Sequence, residues 1–584
     1  MSTKKQVSVF IVLLVILITI SGWVSGWVSA YSPDYYHEIQ KNIELFGRVY
    51  QEISKKYVEE VDPNKFMRAG IDGMLATLDP YTVLVEKEDN AELQIMSSGK
   101  YGGLGMRIGL RSGWPTVVEP PFDGTPAIKA GIREGDTIIE VDGQSTKGIN
   151  ITHVANMLRG EIGSQISLKI MREGEEEPIE FRLIRAEIVV TDVAYSGIVK
   201  DGIGYIRLSH FSRNAGSDLG KAIRQLKKDG LKSLILDLRS NPGGLLEAAV
   251  DVGENFIEKG QLIVSTQGRT PASVQKFYSE KSPILEDLPL VVMVNGFSAS
   301  ASEIVAGAVQ DLDRGLIIGS NTFGKGLVQT VIPISSESAL KITTAKYLVP
   351  SGRSIQDPQK FLKDGEDILH LEDTGVEDET NIESKSTTTD SNEKPAEKQE
   401  VYYTAHGRQV YASHGVTPDI VIEDEPLSEY ETELLRKTKL FQFAVIYATK
   451  HPELQRGFEV TDEMVAGFQK FLGEQSFEHT TEDELALQKV EELAKKNQYL
   501  AAVSTPIAEV RKVLLAEKAK EFDKSQDFIR EQLQQEISAK LWGTAAEVEA
   551  SFDNDQAIHK AVELLSNIEQ YHAMLQGEQG KREK

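Results

Sequence analysis

The chain has 584 residues, 64 Lys and Arg against 89 Asp and Glu, a formal net charge of −25, and no cysteine. Proteins that follow a phosphate backbone need clustered cations, so this acidic balance predicts that the chain has no nucleic-acid partner. The lack of cysteine excludes disulfide frameworks, thiolate zinc sites, iron–sulfur clusters and cysteine nucleophiles. A chain of this length is expected to form about three or four domains.

The first thirty residues are expected to act as an export signal. Lys4 and Lys5 precede an apolar run over residues 7–20 that is broken only by Ser8 and Thr19. A basic flank of this kind stays in the cytoplasm while the following chain is exported. The apolar stretch is long enough to span about 30 Å of hydrocarbon, but residues 28–30 also fit a signal-peptidase site. Residues 1–30 are therefore interpreted as a retained membrane anchor or a cleaved signal peptide. Either reading places the protein in the cell envelope, on the periplasmic side of the inner membrane, in the periplasm, or outside the cell.

Residues 34–97 are predicted to be helical. Apolar side chains recur at three-to-four spacing from Ile39 to Tyr57, and Asp62-Pro63 begins a second helix that is expected to run through Leu78. This row of apolar side chains is expected either to pack within the protein or to contact a second copy of the chain. The sequence therefore also allows a homo-oligomer.

Residues 98–187 change to short strands and glycine turns, with an amphipathic stretch at 151–159. The run Gly-Ile-Arg-Glu-Gly-Asp-Thr-Ile-Ile-Glu-Val-Asp-Gly at 131–143, together with a glycine-rich loop, resembles a PDZ domain. The resemblance implies that successive backbone N–H groups of the loop bind a free carboxylate and that the bound tail adds to the sheet edge. The loop residues are Gly103, Leu104, Gly105 and Met106.

Residues 188–356 and 401–425 are predicted to form an α/β core made of βαβ units. Strands are expected at 203–208, 231–238, 288–294 and 315–318, with helices at 215–228, 245–257 and from about 300 to 312. Alternation of this kind predicts parallel strands. The fold class is therefore mixed α/β, with an inserted PDZ domain and helical N-terminal and C-terminal regions.

Two regions depart from this pattern. Residues 357–400 form an acidic, low-complexity insertion that is expected to be a solvated loop. Residues 403–411 resemble a hairpin. Residues 427–584 carry helical periodicity, which predicts a helical extension that packs on the core or on a second subunit.

Ser300 and Lys325 each follow a predicted strand and are separated by one helical crossover. Because ligand sites in parallel sheets lie at the carboxyl ends of strands, the two side chains are expected to lie close together. A serine hydroxyl needs a base to act as a nucleophile. A lysine amine, with an ordinary pKa of about 10.4, becomes that base when burial disfavours its charge. The pair predicts a Ser–Lys hydrolase.

Three other interpretations compete. The pattern from Ser300 to Glu303 fits a capping box, in which the serine only begins a helix. Residues 319–326 nearly match a phosphate-binding P-loop, although Gly326 stands where that motif needs a hydroxyl. A histidine triad is the third, with candidates at His210, His406 and His414 and no spacing that selects one. No paired-histidine metal motif is present, and neither a metal nor a cofactor is expected.

Several motifs in order identify a family. They are Leu-Ile-Leu-Asp-Leu-Arg-Ser-Asn-Pro-Gly-Gly at 234–244, Phe-Ser-Ala-Ser-Ala-Ser-Glu-Ile at 297–304, Thr-Phe-Gly-Lys-Gly-Leu-Val-Gln at 322–329, Pro-Ser-Gly-Arg-Ser-Ile at 350–355 and Gly-Val-Thr-Pro-Asp at 415–419. These motifs resemble those of the carboxyl-terminal processing peptidases, also called tail-specific proteases. The resemblance covers roughly residues 35–356 and 401–423.

The resemblance implies a serine endopeptidase that binds C-terminal tails of exported proteins through its PDZ domain and cleaves through an acyl-enzyme. It implies that Ser300 is the nucleophile, Lys325 the general base and Gln329 the residue that orients the lysine. The oxyanion hole falls on the N–H of Ala301 with that of Gly243 or Gly244. Arg159 is the candidate for contact between the PDZ domain and the core. A tail-binding scaffold with an inactive core remains the alternative.

Overall fold

The computed structural model describes residues 33–86, 99–358 and 400–577, except positions 112, 123, 176, 190, 336–337 and 424–425. The predicted leader, residues 1–30, and nearly all of the acidic insertion, residues 357–400, lie outside the described residues. The described chain is a mixed α/β protein with a helical C-terminal region, which confirms the predicted fold class. Within it, no helix is both long and apolar enough to cross a membrane.

The N-terminal segment has two helices and a short strand. These are α1 (Pro33–Lys56), α2 (Pro63–Leu75) and β1 (Val83–Glu86). Asp62 begins α2, because its side chain accepts hydrogen bonds from the first backbone N–H groups of the helix. The strand pairs antiparallel with residues 338–341, so the prediction that residues 34–97 are helical throughout is wrong at 83–86. The backbone hydrogen-bonding partners of this strand are residues 338–341, far along the chain, and local periodicity does not reveal such a distant pairing.

The PDZ region is a small β domain with its own core. Its elements are β2 (Lys100–Gly103), β3 (Ile108–Arg111), β4 (Trp114–Val117), α3 (Pro126–Lys129), β5 (Thr137–Val141), β6 (Gln144–Ser145), α4 (Ile151–Leu158), β7 (Gln165–Met171), β8 (Ile179–Ile184) and β9 (Ala186–Val189). Along β7, Ile166, Leu168 and Ile170 are buried and alternate with more exposed residues, as one face of a sheet requires. The sheet order is β3-β4-β5-β7-β8, β6 pairs with β5, and β2 pairs with β9.

The core follows as alternating strands and helices. Its elements are β10 (Val193–Lys200), β11 (Ile203–Leu208), α5 (Ala215–Lys228), β12 (Ser233–Asp237), α6 (Leu246–Gly253), β13 (Leu262–Gly268), β14 (Gln275–Tyr278), β15 (Leu290–Val294), α7 (Ala301–Asp311), β16 (Leu316–Gly319), β17 (Leu327–Pro333), β18 (Ser338–Leu348), β19 (Val401–Tyr403), β20 (Gln409–Tyr411) and β21 (Ile420–Val421). The predicted strand 203–208 and helix 215–228 agree with β11 and α5. The predicted hairpin is formed by β19 and β20.

The central sheet has the order β10-β11-β12-β15-β16-β21. All pairs from β11 to β21 are parallel, as expected from the βαβ pattern. Every residue of β12, β15 and β16 is buried, because both faces of the sheet are covered. A second sheet has the order β1-β18-β13-β14, with β17 paired to β18. Its strand β18 contacts the loops at the carboxyl ends of the parallel strands through Tyr347.

The C-terminal region is helical, as predicted. Its helices are α8 (Glu429–Arg436), α9 (Lys439–Lys450), α10 (Asp462–Glu474), α11 (Glu482–Lys496), α12 (Leu500–Lys518), α13 (Glu521–Lys524), α14 (Gln526–Trp542), α15 (Thr544–Ser551), α16 (Gln556–Ser566) and α17 (Ile568–Leu575). Ile558, Leu564 and Tyr571 join the apolar cluster on the face of the central sheet opposite α5, α6 and α7. The C-terminal extension therefore covers this face of the central sheet with apolar side chains.

The same extension also contacts the PDZ domain. Lys540 Nζ lies 2.9 Å from Glu134 Oε1, and each side chain is only 5% exposed. Burial, opposed by the charge of Lys540, raises the pKa of Glu134 to about 7. The C-terminal helices thus hold both the PDZ domain and the core.

Candidate active site

Ser300 lies between β15 and α7, at the carboxyl end of a central strand. Its backbone has φ 54° and ψ −112°, which a non-glycine residue adopts only when its surroundings enforce it. Its N–H donates to Glu303 Oε2 at 2.8 Å, which is the glutamate half of the predicted capping box. The serine therefore stands at the first turn of α7, where helix N–H groups favour developing negative charge.

Lys325 lies in the loop between β16 and β17, and backbone contacts fix this loop. The N–H of Phe323 donates to the carbonyl of Ser298 at 3.0 Å. The N–H of Gly326 donates to Gln356 Oε1 at 2.9 Å. Gly324 has φ 87°, and a Cβ there would lie 2.8 Å from the Cβ of Asp357, so only glycine fits.

The buried carboxylate of Glu303 joins the two loops. It accepts hydrogen bonds from Ser300 N–H (2.8 Å), Lys325 N–H (2.9 Å), Gly324 N–H (2.7 Å) and Thr322 Oγ1 (2.6 Å). Glu303 is fully buried, and its pKa is raised by desolvation while the four donors oppose that shift. Ser300 and Lys325 share one oxygen of this carboxylate, so their main chains are held side by side.

Tyr347 of β18 makes a second link between the same two residues. Its hydroxyl contacts the carbonyl oxygen of Ser300 at 3.0 Å and that of Lys325. Burial raises the pKa of Tyr347 well above its ordinary value, with a further contribution from the charge of Glu303, so the hydroxyl stays a donor. The sequence motifs do not point to Tyr347, and Glu303 was interpreted from them only as part of a capping box.

The P-loop interpretation meets a physical obstacle here. A P-loop needs free backbone N–H groups to bind phosphate oxygens. In this chain the N–H groups of Gly324 and Lys325 and the hydroxyl of Thr322 already donate to the Glu303 carboxylate. The Glu303 carboxylate therefore already accepts the hydrogen bonds that a bound phosphate would need from this loop.

Tyr81, a residue absent from the sequence prediction, contacts both Lys325 and Gln329. Gln329 Nε2 donates to the Tyr81 carbonyl at 3.5 Å. Lys325 Nζ lies 4.6 Å from the centre of the Tyr81 ring. Burial raises the pKa of Tyr81 to about 12, with Glu303 and Asp79 adding to the shift. In the sequence, only the Asp-Pro turn before Tyr81 marks the position, and a turn does not indicate chemistry.

Backbone groups beside Ser300 fit an oxyanion hole. Ala301 is fully buried at the start of α7. A Cβ on Gly243 (φ 98°) would lie 2.6 Å from the Ala299 carbonyl and 2.8 Å from the Ala301 nitrogen, so this close approach requires glycine. The Gly243 N–H donates to Asn241 Oδ1 at 2.9 Å, whereas Gly244 is solvent-exposed.

The PDZ loop and the oxyanion region face one cavity of about 550 Å³, which Gly103–Met106, Arg159, Gly243 and Gly244 help to line. The carbonyls of Leu104 and Gly105 accept from the N–H groups of Ala127 and Phe122. Because a trans peptide places its N–H opposite its carbonyl, the N–H groups of Gly105 and Met106 point away from those partners. The predicted carboxylate-binding loop and the two candidate glycines of the oxyanion hole therefore line one cavity.

Arg159 lies at the end of α4 and borders this cavity. Its guanidinium lies 5.8 Å from the Tyr101 ring centre and donates to Asn156 Oδ1 at 3.0 Å. Both neighbours belong to the PDZ domain, so a contact from Arg159 to the core remains a prediction.

The three candidate histidines lie in different surroundings. His210 lines the same cavity, and burial lowers its pKa. His406 Nδ1 lies 3.5 Å from Asp313, and the Nδ1 of His414 is buried. Among the described residues, none of the three is hydrogen-bonded to Ser300, and no cluster of side chains suited to a metal ion is found.

Comparison with known proteins matches family models to four parts of the chain. They are described as Peptidase family S41 (202–361), PDZ domain (117–172), Probable PDZ-protease, C-terminal helical domain (430–565), and Activating protease CtpB N-terminal domain (29–89).

Similar proteins cover about half of the chain. The carboxy-terminal-processing protease of Bartonella bacilliformis is 41% identical over 320 residues, which are 54% of this chain and 73% of that protein. The carboxy-terminal processing protease CtpB of Bacillus subtilis is 35% identical over 321 residues, 54% of this chain and 66% of that protein. A solved structure, the photosystem II D1 C-terminal processing protease, is 31% identical, with a TM-score of 0.32, over 54% of this chain and 90% of that one.

Proposed function

Because this chain belongs to the carboxy-terminal-processing proteases, a family of serine-type peptidases, we propose that it captures free C-terminal tails of exported proteins and cleaves them with Ser300 and Lys325. One observation carries the proposal. Glu303 and Tyr347 hold the main chains of Ser300 and Lys325 from two sides, through the N–H groups and through the carbonyls. A serine and a lysine so fixed at one sheet edge suit nucleophilic catalysis.

The reaction proceeds in two halves. Ser300 Oγ attacks the peptide carbonyl while its proton passes to the neutral amine of Lys325. The C–N bond breaks as the ammonium gives that proton to the leaving amine, and an ester to Ser300 remains. Water then attacks the ester and gives a proton to Lys325, which returns it to Oγ as the ester bond breaks.

Charge that develops on the carbonyl oxygen is stabilised by backbone donors. The N–H of Ala301 is one donor, and Gly244 or Gly243 provides the other. Each donor of this kind contributes on the order of 100- to 1,000-fold in rate. The Gly243 N–H can bind the developing oxyanion only if its hydrogen bond to Asn241 Oδ1 breaks. We therefore favour Gly244 as the second donor.

The PDZ loop, Gly103–Met106, binds the substrate carboxylate, and the cavity that it lines also borders Gly243 and Gly244. Gly243 lies directly beside Ser300. Substrates are therefore proteins or peptides with a free, apolar C-terminal tail. Residues 1–30 deliver the enzyme to the cell envelope, either as an anchor in the membrane or as a cleaved signal, and the mass of the mature N-terminus distinguishes these two outcomes.

The test is cleavage of an unfolded protein with an apolar C-terminus. Ser300→Ala and Lys325→Ala are each expected to lose at least about 1,000-fold in kcat/KM, while both retain tail binding. Ser302→Ala is the matched control and should keep cleaving, because Ser302 Oγ is hydrogen-bonded to Asn241.

Three results would contradict the proposal. Tail binding without cleavage by the wild type would indicate a scaffold. Nucleotide hydrolysis that does not depend on Ser300 would favour the P-loop alternative. Cleavage that is unaffected by amidation of the substrate C-terminus would refute tail recognition by Gly103–Met106.

A further inference from the structure

Tyr81 comes from the N-terminal segment, far along the chain from the catalytic loops, and it lies beside the proposed base. Its turn is fixed by Asp79, whose side chain accepts from the Tyr81 N–H at 2.9 Å and from Thr82 Oγ1 at 2.8 Å. Thr82 Oγ1 in turn accepts from the N–H of Thr343 at 3.2 Å, which attaches the turn to β18. The position of the Tyr81 ring is therefore set by a rigid turn and a strand pairing.

Two parts of Tyr81 contact two different members of the proposed catalytic group. The ring face lies 4.6 Å from Lys325 Nζ, within the range of a cation–π interaction. The backbone carbonyl accepts from Gln329 Nε2 at 3.5 Å. The amide nitrogen of Gln329 is thereby directed to Tyr81, which leaves its Oε1 oxygen as the atom that can accept from an ammonium.

We propose that Tyr81 is a positioning residue for Lys325: its ring face receives the ammonium that forms during acylation, and its carbonyl fixes the orienting amide of Gln329. The inference rests on the proposed function, since it assigns Lys325 the role of base. An aromatic face suits this step because it attracts the charged amine without accepting its proton. The proton therefore remains available for the leaving group.

The experiment compares Tyr81→Phe, Tyr81→Leu and a series in which residue 81 is phenylalanine with one, two or three ring fluorines. Fluorination withdraws charge from the ring face at nearly constant shape, so the series tests the cation–π contact without disturbing the fold. Tyr81→Phe is expected to stay within about 3-fold of wild type in kcat. Each added fluorine should lower kcat, and Tyr81→Leu should lose about 2- to 30-fold, with KM nearly unchanged. Tyr57→Leu is the control, since Tyr57 lies in the same segment and is 61% exposed.

The pH profile gives a readout that a purely structural role would not move. Loss of the ring face destabilises the ammonium, so the acidic limb of the kcat/KM profile should move to lower pH by about half a unit to one and a half units. A fluorine series with constant kcat and an unmoved limb overturns the inference. So does a Tyr81→Phe variant as impaired as Tyr81→Leu, because the hydroxyl rather than the ring would then act. If Lys325→Ala cleaves normally, the proposed function itself fails; if Lys325→Ala is inactive and the series is flat, only the role of Tyr81 fails.

Discussion

Replacement of Glu303 by glutamine tests whether a buried carboxylate holds the catalytic pair together. The carboxylate accepts four hydrogen bonds with two oxygens, and one of these oxygens serves the N–H groups of Ser300 and Lys325. A glutamine offers one accepting oxygen and turns an NH2 group toward the remaining donors. Whichever way the amide is placed, two buried donors lose their acceptor.

The magnitude follows from these four contacts. A hydrogen bond to a charged group contributes about 1.5–3 kcal/mol, so two lost bonds cost about 3–6 kcal/mol. Burial raises the pKa of Glu303, which means that the ionised carboxylate is itself held at a cost that the neutral amide avoids. The expected net loss of stability is therefore about 2–4 kcal/mol.

The assay combines denaturant unfolding of the full chain with kcat/KM on a tail-bearing substrate and with tail binding. Glu303→Gln should lower kcat/KM by at least about 100-fold, because displacement of a catalytic group by about 1 Å has an effect of this size. Tail binding should persist. Glu247→Gln is the matched control, an exposed first-turn glutamate of α6, and should change stability by no more than about 1 kcal/mol. A Glu303→Gln enzyme within 3-fold of wild type would refute the assigned role.

Tyr347→Phe removes the hydroxyl that links the carbonyls of the catalytic pair. We expect the unfolding free energy to fall by about 1–3 kcal/mol and kcat to decrease. The control Tyr403→Phe, at an exposed position, should change neither the stability nor kcat. Gly243→Ala places a Cβ 2.6 Å from a backbone oxygen and should reduce kcat at least about 100-fold. Its control, Gly260→Ala, shares a left-handed backbone (φ 90°) but has no atom within 4 Å, so only modest destabilisation is expected. The pKa of Glu134 is raised from 4.5 to about 7 in the folded chain, so its stabilising contribution is complete below about pH 4.5 and is lost as pH rises through about 7. Relative to Glu134→Gln, the wild type should therefore lose about 2–3 kcal/mol between pH 5 and pH 8 in denaturant unfolding, and equal pH dependence in both proteins would contradict this account.

The predicted elements that agree best with the structure are those whose own residues carry a strong pattern. β11 and α5 have the predicted bounds, because an apolar run and a 3.6-residue stripe are local properties. The strand β1 was missed since its partner is distant: Thr82 and Thr343, which adjoin this pairing, are 261 residues apart.

The residues of the candidate site likewise divide into those that sequence motifs indicate and those that only the structure reveals. The motifs around Ser300, Lys325 and Gln329 nominate a nucleophile, a base and an orienting amide, and these roles stay predictions for the variants above to test. The motifs do not indicate that Tyr347 links the pair or that Tyr81 supports the lysine. Glu303 was visible only as a helix-capping residue, although its second oxygen binds the loop of Gly324.

The sequence by itself determined the fold class and the family, because both follow from periodicity and motifs in consecutive residues. The tertiary structure alone decided which segments of the chain contact and support one another. C-terminal helices cover one face of the central sheet, and a turn near the N-terminus supplies the ring beside Lys325. Such contacts depend on which surfaces meet after the chain has folded, and their free energy belongs to pairs of residues that no local pattern connects.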